Sequence, residues 1–158
     1  MRLKQYIAEI KSTKYEIQYQ ETSNFIRAYI QIENETFILN IGKEEYSKAM
    51  LEYRFNINLN TSESVSYWDI NFTDSLGRET LQPKGKGIAL KLFAALENEI
   101  AKLVKKHKPK IFRFRVSDPT ESRFRLYSTI AKKIQKQGNY KLYTHGKQFW
   151  FISKEYII

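Results

Sequence analysis

The succession of two-residue and 3.6-residue periodicities in this 158-residue chain predicts an α+β fold, a mixed and mostly antiparallel sheet that opens as an N-terminal strand meander and continues as β-α-β-α-β-β. Three features carry the prediction. Short runs in the first half alternate apolar and polar residues. From Ile88 onward apolar positions recur every three or four residues over about five helical turns. A strand with two arginines on one face then leads into a strong helix-start signal and a closing strand pair.

Taken in order, residues 15–19, 26–32 and 36–41 alternate as strands, the last two joined as a hairpin across Glu33-Asn34-Glu35. Residues 44–51 fit a short helix. Residues 53–59 place Tyr53, Phe55, Ile57 and Leu59 on one face and Arg54, Asn56 and Asn58 on the other, the pattern of a half-buried antiparallel strand. Residues 60–64 form a turn, residues 65–72 the next strand, and residues 73–81 a polar loop. Residues 4–11 fit neither period.

In the second half, Leu92, Phe93, Leu96, Ile100, Leu103 and Val104 share a helical face, and the helix ends before Pro109. Ile111-Phe112-Arg113-Phe114-Arg115-Val116 follows as a strand whose arginines oppose Phe112, Phe114 and Val116. Asp118 as N-cap, Pro119 at the first helical position and Glu121 placed for a capping box open a second helix. Phe124, Tyr127, Ile130, Ala131 and Ile134 form its apolar face, and Gly138-Asn139 stops it. Residues 140–143 and 148–152 close the chain as strands around His145-Gly146, with Phe149, Trp150 and Phe151 expected in the core.

Between the two halves lies Gln82-Pro83-Lys84-Gly85-Lys86-Gly87-Ile88-Ala89. Alternate glycines allow close backbone approach to a ligand, and a following helix offers unpaired N–H groups and the positive end of its dipole. Lys84, Lys86 and Lys91 would add charge beside such a phosphate cradle. A basic, solvated connector is the other reading of the same residues. The charge distribution sharpens the choice: residues 1–80 hold 9 Lys+Arg against 12 Asp+Glu, whereas residues 81–158 hold 18 against 5, nets of −3 and +13. Such asymmetry suits an anionic ligand, a nucleic acid or an acidic protein surface, or else a solvated lysine-rich surface.

The length fits one domain over residues 1–158, and the 42% hydrophobic content fits a folded rather than a disordered chain. With no cysteine and two scattered histidines, neither disulfides nor a zinc site is expected. No run approaches the roughly 18 apolar residues of a membrane span, so a soluble, cytoplasmic protein without membrane partners is expected.

The sequence strand, Gln82-x-x-Gly85-x-Gly87, long helix, strand, capped helix with Leu126-Tyr127 and final strand pair resembles the GNAT superfamily of acyl-CoA N-acyltransferases. The superfamily's pyrophosphate loop reads Arg/Gln-x-x-Gly-x-Gly/Ala, which Gln82, Gly85 and Gly87 match. The resemblance covers the second half of the chain. It implies a GNAT-like domain that binds acetyl-CoA, the coenzyme pyrophosphate being held by Gln82, Lys84, Gly85, Lys86, Gly87, Ile88 and Ala89. It also implies Tyr127 as the acid that protonates the departing thiolate. More narrowly, residues 85–93 with Ser122-Arg123-Phe124-Arg125-Leu126-Tyr127 resemble GNAT-like proteins of tailed bacteriophages, which implies a location in the host-cell cytoplasm and an acetyltransferase without a named amine acceptor. Two departures stand out. About nine residues separate Phe72 from Gln82, where typical members run almost directly from the fourth strand into the loop, and the usual two helices after the first strand are not evident in residues 20–52.

Amine acylation needs a polarised thioester, a path for the amine proton and an acid for the thiolate. Tyr127 fits the acid and equally fits a core tyrosine. Asp69, Asp74 and Glu79 are candidate bases that spacing does not rank, and each also fits a solvated carboxylate. His107 and His145 read as surface residues. Arg113 and Arg115 on a central strand mark a face that is wet or holds an anion. The rival to an acyltransferase is a catalytically silent GNAT-like module whose basic half, including Arg123, Arg125, Lys132, Lys133 and Lys136, binds nucleic acid or an acidic protein. In a third possibility the two readings join, and the acceptor is itself associated with nucleic acid or protein.

Overall fold

A computed structural model describes residues 15–76, 86–115 and 121–158. Within them the strands are β1 (Glu16–Glu21), β2 (Phe25–Ile32), β3 (Glu35–Ser47), β4 (Ser64–Asp74), β5 (Ile111–Arg115), β6 (Tyr140–His145) and β7 (Gln148–Ser153). The helices are α1 (Lys48–Phe55), α2 (Lys86–His107) and α3 (Glu121–Gln137), followed by a 3-10 turn at Lys154–Tyr156. The described strands form one seven-stranded sheet in the order β1-β2-β3-β4-β5-β7-β6. Every neighbouring pair is antiparallel except β4 and β5, which run parallel. The α+β class and the mixed, mostly antiparallel sheet are as the periodicities predict.

The meander closes through short turns. Thr22 Oγ1 accepts the N–H groups of Asn24 and Phe25 between β1 and β2, and Glu33 takes a left-handed φ of 55° in the β2–β3 hairpin. Gly146, at φ 59°, makes the β6–β7 hairpin with His145 paired to Gln148; a residue without Cβ adopts that conformation at no steric cost. The β1–β2 connection is these few residues, so no helix follows the first described strand.

Alternation fixes the layers. Ile26, Ala28 and Ile30 of β2, Phe37, Leu39 and Ile41 of β3, and Trp68, Ile70 and Phe72 of β4 face one side with Phe112, Phe114, Phe149 and Phe151. That face packs on Leu92, Phe93, Leu96 and Ile100 of α2 and on Tyr127, Ile130, Ala131 and Ile134 of α3, which places both helices on one side of the sheet. On the other face Val65, Tyr67, Ile111, Trp150 and Ile152 meet Leu51 of α1 and Leu59 in a second, smaller cluster.

The strand expected over residues 53–59 is corrected to the end of α1 followed by an extended stretch. Ser47 Oγ accepts the Met50 N–H at 3.3 Å and caps the helix, and Asn56, left-handed at φ 52° and ψ 53°, ends it. Leu51 is fully buried, whereas Tyr53 is 86% exposed. The apparent alternation spans a helix end and the segment whose Leu59 bridges Ile157. The short helix expected at residues 44–51 starts later, because 44–47 still pair with β4. Residues 73 and 74, expected in a loop, extend β4. Val116 and the helix-start residues Asp118 and Pro119 lie outside the described residues.

Candidate functional site

Of the expected coenzyme residues, Gln82, Lys84 and Gly85 lie outside the described residues, as does Glu79. The backbone of Lys86, Gly87, Ile88 and Ala89 forms the first turn of α2, and Ile88 packs its side chain against the main core. Lys91, expected beside the cradle, donates to Glu33 of the β2–β3 hairpin at 3.0 Å. That pair ties the start of α2 to the sheet.

Tyr127 lies in the first half of α3, 5% exposed. Its ring stacks on Phe72 of β4 at 5.7 Å and meets Phe93 of α2 edge-on at 5.7 Å. Near this point the parallel ladder between β4 and β5 stops. Trp68, Asp69 and Ile70 pair with Phe112, Arg113 and Phe114, and among the described residues no pair follows, although β4 continues to Asp74. The beginning of α2, the far end of β4 and Tyr127 therefore converge at one end of the central strands. Asp74, a candidate base at that end, accepts the Leu76 N–H at 2.9 Å in a local turn.

The opposite face explains the two arginines. Arg113 Nε donates to Asp69 Oδ1 at 3.1 Å, and Arg113 and Arg115 each bring a terminal nitrogen to Asp69 Oδ2, at 3.0 and 3.1 Å. Arg113 also donates to Tyr67 Oη at 3.3 Å and lies 4.9 Å from the Trp150 ring centroid. Burial pushes the Tyr67 phenol above its ordinary range, against the pull of Arg113. Both Asp69 oxygens thus accept from guanidinium groups, which engages the carboxylate in the sheet's own charge pairing. Asp69 follows from the register of β4 on β5, which places Asp69 beside Arg113 across 44 residues of sequence.

A second polar cluster was not legible in the sequence. Glu99 on α2 is fully buried and accepts the hydroxyls of Tyr15, at 2.8 Å, and Tyr19. Asn98 donates to Tyr15 Oη at 2.7 Å. Burial pushes the Tyr15 phenol up to about 12 and raises that of Tyr19 further, with the Glu99 carboxylate adding to both. This cluster fastens the edge strand β1 to α2. His145 is exposed, as expected, but His107 is not a plain surface residue: it is half-buried, with its ring 5.4 Å from Trp68. Phe149, Trp150 and Phe151 are core, as expected. Among the described residues no group of three His, Asp or Glu converges as a metal site, and no helix is long and apolar enough to cross a membrane.

No protein-family model matches the chain, and no curated protein does so.

Proposed function

We propose that the chain is an acyl-CoA-dependent N-acyltransferase of the GNAT kind, transferring an acetyl group to an amine. The observation that carries this reading is the convergence at Tyr127, which packs on Phe93 near the start of α2 and on Phe72 just past the last β4–β5 pair. Among the described residues β4 runs on from Asn71 beyond its last pair with β5, and in this reading the extended pantetheine amide arm lies along that side of the strand. The resemblance puts the pyrophosphate at Gln82, Lys84, Gly85, Lys86, Gly87, Ile88 and Ala89, at the start of α2, where the helix dipole favours an anion.

The chemistry then asks little of charged side chains. An amine nitrogen attacks the thioester carbonyl, the C–S bond breaks, one proton leaves the nitrogen and one reaches the sulfur. A tyrosine hydroxyl donates a proton at neutral pH, and Tyr127 is the group proposed to do so. With Asp69 engaged by two arginines, ordered water takes the amine proton in this reading.

The second reading, a coenzyme-free module for nucleic acid or an acidic protein, is favoured by Lys105 and Lys106 on α2 and Lys132 and Lys136 on α3, all exposed on the two helices that share one side of the sheet. It predicts affinity falling steeply with salt. Native mass spectrometry separates the two. The wild-type chain incubated with acetyl-CoA carries one coenzyme, and a Gly85→Val, Gly87→Val double variant carries none; equal adducts on both, or none on the wild type, refute the assignment of this loop.

A further inference from the structure

Among the described residues the sheet face opposite α2 and α3 is only partly covered. Below, α1 and Leu59 close it. Above, an open cavity of about 560 Å³ lies on the strands, lined among others by Arg27, Tyr29, Asn40, Asn71, Thr73 and Arg115. No helix follows β1 to roof this region, because Thr22-Ser23-Asn24 turn directly into β2.

Its polar groups are specific. Arg27 stacks on the Phe25 ring at 4.4 Å and makes no ion pair among the described residues. Arg115, 41% exposed, shares the single Asp69 carboxylate with Arg113. Arg27, Arg115 and the neighbouring Arg113 against Asp69 and Glu44, the acidic groups of the lining, leave one positive charge in excess. In the middle of the face Asn40 Nδ2 donates to Thr73 Oγ1 at 3.2 Å, whereas the buried Oδ1 of Asn71 has no hydrogen-bond partner among the described residues. A buried, unpaired acceptor is costly unless a donor meets it. Asn71 is also the first β4 residue beyond the last β4–β5 pair, on the stretch of strand assigned above to the coenzyme arm.

We propose that this cavity is the acceptor site and that its ligand is a compact primary amine carrying an oxyanion, a carboxylate or a phosphate. This rests on the acyltransferase reading. The oxyanion lies against Arg27 and Arg115, whose planar forks suit both groups. The amine N–H is received by Asn71 Oδ1, which positions the nitrogen beside the thioester. In the transfer the N–C bond forms and the thioester C–S bond breaks, with one proton lost from the amine and one gained by the coenzyme sulfur, so that one thiol appears per amide. Neutral amines lose the guanidinium contacts, and diamines meet like charge.

Ligand-observed NMR titration tests the site without coenzyme. The probes are β-alanine and 2-aminoethyl phosphate, set against ethanolamine and 1,3-diaminopropane. The two acidic amines are expected to bind and the other two not, and the stronger of the acidic pair identifies carboxylate or phosphate as the anion. Arg115→Gln and the exposed-site variant Arg27→Gln should each weaken binding about tenfold, with circular dichroism confirming the fold. Equal binding of all four amines, binding of none, or unchanged affinity in both variants overturns the proposal, as does an oligothymidine probe that binds this face through Arg27 and Arg115 while the amines do not. Coenzyme binding is measured separately. Acidic amines that bind a protein unable to take acetyl-CoA refute the acyltransferase reading alone, whereas coenzyme binding without acidic-amine binding refutes the acceptor site alone.

Discussion

Replacing Asp69 by Asn tests whether the central carboxylate holds the sheet or serves as a base. The substitution keeps shape and removes charge, leaving Arg113, 12% exposed between Tyr67 and Trp150, without its anion. Removing one partner of a fully buried pair costs about 3–5 kcal/mol. Asp69 and Arg113 are 16% and 12% exposed rather than fully buried, and the remaining guanidinium keeps its Tyr67 and ring partners, which lowers that cost by about 1–2 kcal/mol. The bridge to the half-exposed Arg115 adds less than about 1 kcal/mol. The expected net loss is about 2–3 kcal/mol, or about 5–10 °C in Tm for a domain of this size. Urea unfolding followed by tryptophan fluorescence reads it directly, since Trp150 lies against Arg113. Arg115→Gln should cost less than about 1 kcal/mol in the same assay. A loss below about 0.5 kcal/mol for Asp69→Asn, within the range of ordinary surface changes, or a larger loss for Arg115→Gln, refutes the structural assignment and returns Asp69 to the candidate bases.

Two further predictions concern the fold. Burial pushes the Tyr140 phenol from its ordinary 10 up to about 12, with Tyr156 and Glu155 adding to the effect. A raised pKa means that the neutral form is favoured in the folded state, so the contribution is complete below pH 10 and is lost as the pH rises toward 12. Tyr140→Phe should lose about 1 kcal/mol at neutral pH with the 2.6 Å bond to the Pro109 carbonyl and flatten the alkaline decline; an unchanged stability-versus-pH curve contradicts the assignment. Leu51→Ala should cost about 2–4 kcal/mol and Tyr53→Ser less than about 0.5 kcal/mol, because α1 buries the first and exposes the second; a strand over residues 53–59 requires a substantial cost at Tyr53.

The parts of the fold that were legible are those governed by local pattern. Alternation in 26–32 and 65–72, the apolar stripe from Leu92 to Val104 and the arginine-phenylalanine alternation of β5 each state which side faces the core. The error at residues 53–59 is also local in origin: four apolar residues at even spacing cross a helix terminus that Ser47 and Asn56 set through capping and a left-handed turn. Long-range partners were not legible. That Asp69 pairs with Arg113 and Arg115 depends on the β4–β5 register, and that Glu99 is buried depends on Tyr15 and Tyr19 arriving from the far edge of the sheet. The candidate site divides in the same way. The Gln82, Gly85 and Gly87 pattern is carried by sequence alone, whereas the contact of Tyr127 with Phe72 and Phe93 and the open face around Asn71 are products of the fold.

Isothermal titration of the protein with acetyl-CoA and coenzyme A tests the central claim most directly. Saturable one-to-one binding of both is predicted, and at a ligand concentration 100-fold above Kd it should stabilise the fold by about 2.7 kcal/mol. No heat of binding and no thermal stabilisation at millimolar ligand would contradict the account.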